Sequence, residues 1–94
     1  MGVEPWDPQQ LQRYVRAIDE AWDEFESTYY ATVKRAGLNT PAATHAATYM
    51  RKARLVRDFA KGMLAKPTRS DETPEAVRNA VAELTNLKRQ LNNV

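Results

Sequence analysis

"KRAGLNTPAATHAATYMRKARLVR", residues 34–57, decides how the chain folds. A glycine is followed by Thr40-Pro41, and then by a segment that begins with small residues and becomes strongly basic. Threonine before proline marks a helix start. The hydroxyl accepts a hydrogen bond from an amide with no partner inside the helix, and proline fits the first turn, where its missing N–H goes unused. Gly37 suits the end of the preceding helix, since glycine takes a positive φ at little steric cost. Two long helices joined by so short a connection lie side by side and antiparallel. The stretch therefore predicts a helical hairpin that turns at about Leu38-Asn39.

The flanking sequence extends this reading. Asp7-Pro8 and Thr73-Pro74 repeat the cap-then-proline signal. The three signals fall 33 residues apart, but the residues that follow do not match in type (Ile18 falls on Arg51, Trp22 on Leu55), so they announce three helices and no repeat. Leu11, Tyr14, Val15, Ile18, Ala21, Trp22, Phe25, Tyr29 and Val33 recur at threes and fours, one apolar stripe up to Gly37. The second helix carries Ala42, Ala43, Ala46 and Ala47, then widens to Tyr49, Met50, Ala53, Val56, Phe59, Met63 and Leu64, and Pro67 stops it. In the third, Val77, Leu84 and Leu91 recur at sevens, with Ala80, Leu87 and Val94 between them. The expected architecture is all-α: one domain over residues 1–94, with helices at about 8–36, 41–66 and 74–92 and a polar linker at 67–73. It is a long antiparallel hairpin plus a shorter third helix, a three-helix bundle.

Charge is distributed unevenly. Residues 1–33 carry a net −5, residues 34–69 a net +8 and residues 70–94 a net −1, within an overall +2. A hairpin folded at residue 38 or 39 places residue i beside 77 − i, so Asp19, Asp23 and Glu26 are expected to run alongside Arg57, Arg54 and Arg51. Such a ladder would set hairpin register. At the far end Arg13, Arg16, Lys61, Lys66 and Arg69 have fewer acids opposite them. These five are the candidate surface for an anionic partner, nucleic acid or a nucleotide.

"YYATVKRAGLNTPAATHAATYMRKAR", residues 29–54, loosely resembles the N-terminal helix-turn-helix of small terminase subunits, through "RAG" and the alanines that follow. The resemblance covers 26 residues and implies DNA binding. The residues themselves point elsewhere. The helix before the turn is continuous for nearly eight turns, and the start of the supposed reading helix offers Ala42, Ala43, Thr44, His45, Ala46 and Ala47, without Arg, Asn or Gln to meet base edges.

Chemistry-bearing constellations are few. The chain has no cysteine, which excludes disulfides, thiol catalysis and cysteine metal sites. His45 is the sole histidine, with no second ligand spaced for a metal, and neither Ser27 nor Ser70 has a histidine near it in sequence. Asp19, Glu20, Asp23 and Glu24 read as the salt-bridging face of a helix. The expectation is a non-enzyme with no metal and no cofactor. No apolar run approaches membrane-spanning length, and "MGVEPWDP" lacks the basic and apolar segments of a secretory signal, so no membrane role and a cytoplasmic setting are expected.

What remains is binding. The third-helix seam and two rows on the second helix, Met50/Val56/Met63 and Leu55/Phe59, exceed what a third helix of about 30 Å covers. Trp6, Tyr30, Leu55, Phe59, Leu84, Leu87 and Leu91 are the interface candidates. The functional expectation is a small accessory or inhibitor-type protein acting by stoichiometric contact with a protein partner. It is expected to be a homo-oligomer, with a two-fold dimer favoured.

Overall fold

The computed structural model describes residues 3–66 and 68–94. Three helices form the body: α1 (Pro8–Ala36), α2 (Pro41–Leu64) and α3 (Thr73–Leu91). Two three-residue strands, β1 (Val3–Pro5) and β2 (Thr68–Ser70), pair antiparallel with Val3 opposite Ser70 and Pro5 opposite Thr68. The molecule is a rod of 49 × 20 × 17 Å.

Two of the three expected caps form. Asp7 Oδ1 accepts from the Gln9 amide at 3.1 Å, and Thr40 Oγ1 accepts from the Ala43 amide at 3.1 Å. Thr40 also donates to the Gly37 carbonyl at 2.8 Å, closing the turn on itself. Gly37 stands at φ 88°, ψ 150°, and its amide donates to the Val33 carbonyl at 2.8 Å; Asn39 is left-handed at φ 64°. The third cap differs from expectation. Glu72 takes the N-cap position of α3 without a side-chain bond, and Thr73 is the first helical residue. The Thr73 hydroxyl turns back toward β2 and accepts from the Ser70 amide at 3.3 Å.

The segment 29–54 is a hairpin and not a helix-turn-helix. α1 is unbroken for 29 residues, and α2 returns along it, so that Asp19 meets Lys61 and Trp22 meets Arg57. A DNA-binding helix-turn-helix would cross its two helices at about 90–120°.

Small residues let the three helices close. Ala46, Ala53 and Ala60 recur at sevens along α2, and all three are fully buried. The large core side chains come from the other two helices. Trp22 and Phe25 of α1 pack with Leu84, Leu87 and Leu91 of α3 around Ala46, Met50 and Ala53. Toward the other end Ile18 packs with Val77 and Ala80 around Ala60 and Leu64. α3 is thus antiparallel to α2, and it covers the hairpin from Leu64 to Ala46. Its 19 residues rise about 28 Å, which matches the 18 steps from Ala46 to Leu64, so the apolar row it leaves uncovered, Leu55 and Phe59, runs along a flank of α2.

The strands were not expected in a segment that reads as polar linker. They hold the start of the chain against the α2–α3 connection, and Trp6 secures the join. Its indole Nε1 donates to the Lys66 carbonyl at 2.9 Å, and its ring meets Tyr14 edge-on at 6.3 Å.

Candidate protein-interaction face

Along α2 each residue advances about 100° round the axis. Leu55 lies two steps past the buried Ala53, on the far side of the helix, and Phe59 lies one step before Ala60, on its flank. Neither can reach the core. Leu55 is 72% exposed and Phe59 65% exposed, two of four large hydrophobic side chains left in solvent among the described residues. The other two are Tyr30, at 61%, and Leu38, at 78% on the tip of the turn.

Leu55 and Phe59 border an open groove of about 510 Å³ between α2 and α3. Val56 completes the α2 wall, and Ala76, Asn79, Ala80 and Glu83 form the α3 wall. The groove exists because the α3 residues facing it are small or polar. Side chains stand tall on α2, and short ones leave a hollow beside them on α3. Four and seven residues before Val56, Lys52 and Tyr49 carry the same flank of α2 toward the turn. The Lys52 ammonium sits 6.0 Å from the Tyr49 ring centre, and His45 stacks on that ring at 5.0 Å. The two walls therefore bear opposite charges, Lys52 on one and Glu83 on the other.

The other interface candidates are placed differently. Leu84, Leu87 and Leu91 are closed inside the chain's own bundle, so the third-helix seam is not a surface. Their heptad spacing is satisfied by the alanines of α2 in the same molecule. Trp6 is half-buried in the N-terminal join. Tyr30 is exposed on α1 and meets Tyr29 edge-on at 5.4 Å, outside the groove. Leu38 was not anticipated, although its place at the turn tip was the signal that would have found it.

No single hollow gathers the five basic candidates. Arg13 and Arg16 line one of about 380 Å³ on the outer face of α1, with Gln9 and Gln12. Lys61 lines another, with Val15, Leu64 and Ala65, and is ion-paired to Asp19 at 2.7 Å. Lys66 is exposed, and the side chain of Arg69 lies outside the described residues. The expected ladder does not form among the described residues: of its three acids only Asp19 pairs with α2, through Lys61. Arg57 turns its guanidinium over the Trp22 ring and pairs with its neighbour Asp58 at 3.0 Å. Arg51 and Arg54 have no ion pair among the described residues. Glu24 pairs with Lys88 of α3 at 3.8 Å, so two members of the acidic face bind bases on both neighbouring helices.

No group of three or more His, Asp or Glu side chains among the described residues is arranged to hold a metal ion. No helix there is long and apolar enough to cross a membrane. No protein-family model, curated protein or solved structure matches the chain.

Proposed function

We propose that the protein is a non-catalytic helical interaction module, acting by stoichiometric contact with a protein partner through the α2–α3 face. The observation that carries this reading is the pairing of Leu55 and Phe59, both exposed and both bordering a hollow whose α3 wall is Ala76, Asn79, Ala80 and Glu83. Isolated apolar side chains on a surface are ordinary, but two large ones bordering one hollow make a contiguous apolar patch of the kind that marks an interaction site. Immobilised wild-type protein should retain a protein partner at fixed stoichiometry. The Leu55→Ser/Phe59→Ser variant, with its helical circular dichroism unchanged, should not. Retention that survives the double substitution would overturn the reading.

A second reading, contact with nucleic acid or a nucleotide, is supported by Arg13 and Arg16, which share one hollow and have no ion pair among the described residues. Its signature is binding that weakens steeply with salt and is lost when both arginines become glutamine. Absence of any such binding at low salt would remove it.

A further inference from the structure

We infer that the occupant of the α2–α3 groove is a second copy of this chain, related by a two-fold axis that runs along the groove, parallel to the helices. This rests on the interaction reading above and names its partner. Two features of the groove favour self-recognition. The first is shape. The tall row, Leu55 and Phe59, stands on α2, and the short row, Ala76, Asn79 and Ala80, lies directly across on α3. A two-fold axis along the groove lays α2 of one protomer over α3 of the other at the same height, so each tall row descends into its partner's short row. An axis lying across the helices would instead press the tall rows onto each other.

The second feature is charge. Ala46 and Ala53 share one core cluster with Leu84 and Leu91, and Ala60 shares the next with Val77, so antiparallel α2 and α3 bring Ala53 to about the height of Leu84. At that register Lys52 and Glu83 stand within a turn of each other in height, on opposite walls. Neither has an ion pair within its own chain among the described residues. The axis along the groove brings Lys52 of each protomer over Glu83 of the other, twice per dimer. The axis across the helices brings basic α2 onto basic α2. Like charges oppose that alternative, so the pair selects the arrangement.

Three measurements test this. Sedimentation equilibrium across micromolar concentrations should give twice the 10.7 kDa chain mass. Lys52→Glu and Glu83→Lys, both on the solvent side of the bundle, should each weaken dimerisation at least tenfold, and the double exchange should recover most of the loss. The cysteine-free chain also allows spin labels at Thr44→Cys or Gly62→Cys. With the axis along the groove, both sites give similar short distances between protomers. With an axis crossing near residue 57, the Thr44 labels stand about 40 Å apart and the Gly62 labels about 15 Å. A monomer at 100 µM overturns the inference. So does a dimer indifferent to both charge exchanges, or one with the unequal label distances. If the chain is monomeric yet retains a different protein that Leu55→Ser/Phe59→Ser releases, the second copy is refuted while the interaction reading stands. If nothing depends on Leu55 and Phe59, both fall.

Discussion

Arg57 lays its guanidinium over the ring of Trp22, 4.2 Å from the ring centre, on the seam between α1 and α2. The contact joins a basic residue of the return helix to the largest aromatic side chain of the outgoing one, and Trp22 is only 9% exposed. A cation held over an indole at a partly covered site contributes about 0.5–2 kcal/mol, and the aliphatic stem of arginine adds packing. Arg57→Ala should therefore lower stability by about 1–2 kcal/mol in urea unfolding. Arg57→Lys should recover only part of that, because the planar guanidinium is lost. Asp58→Asn, which removes an exposed ion pair with the same arginine, should change stability by less than about 0.5 kcal/mol. Equal effects from Ala and Asn would mean that the ring contact contributes nothing.

The same contact shows where counting from the turn goes astray. Mirror counting puts Trp22 beside Leu55, and Asp19 beside Asp58. The observed partners, Arg57 and Lys61, lie two and three residues further along. Side chains on a helix lean toward its N-terminus. On α1 they lean away from the turn, and on α2 they lean toward it, so each meets a partner later in α2 than its own height suggests. The hairpin itself was legible because Thr40-Pro41 and Gly37 are local signals, with the geometry encoded in the residues that adopt it. The β1–β2 pair was not, since three-residue strands have no periodicity to read and are held by partners distant in sequence. The groove was half legible. Leu55 and Phe59 fall off the core stripe on spacing alone, but the hollow beside them depends on which α3 residues face α2.

Gly37 carries the turn. At φ 88°, ψ 150° its backbone lies in a region that is nearly closed to residues with a side chain. A Cβ built there would meet only Thr40 Cγ2, at 3.8 Å, so space is not the obstacle. Gly37→Ala should thus cost about 1–3 kcal/mol from backbone strain alone. In a domain of this size, about 4–8 °C of thermal midpoint is lost per kcal/mol. Asn39→Gly, at a left-handed position that glycine tolerates, should leave the midpoint almost unmoved. A Gly37→Ala protein that melts with the wild type would show that the turn relaxes freely.

The alanine row of α2 and the leucine row of α3 should respond oppositely to volume. Ala53 is fully buried against Leu84 and Leu87, so Ala53→Leu forces the helices apart and should cost about 1–3 kcal/mol. Leu84→Ala opens a void at the same level and should cost about 2–5 kcal/mol. If the two rows truly oppose each other, Ala53→Leu with Leu84→Ala should be less damaging than the two single effects added together. Strict additivity in denaturant unfolding would place them in separate environments.

Trp6 fastens the N-terminal strand, and its contribution should be local. The indole donates to the Lys66 carbonyl, just before the chain enters β2, and the ring rests edge-on against Tyr14. Two three-residue strands do not hold each other in water unaided, so β1 and β2 depend on such an anchor. Trp6→Phe keeps a ring for Tyr14 but removes the donor, a loss of about 0.5–1.5 kcal/mol. That loss should fall on the opening of the strand pair, because the bundle beneath has its own core of Ile18, Ala60, Leu64, Val77 and Ala80. In Trp6→Phe, amide hydrogen exchange should quicken about three- to tenfold at the paired positions of β1 and β2, while the amides around Leu84 keep wild-type protection. Faster exchange throughout α3 would instead make the strand pair part of the cooperative unit, with Trp6 anchoring the whole bundle.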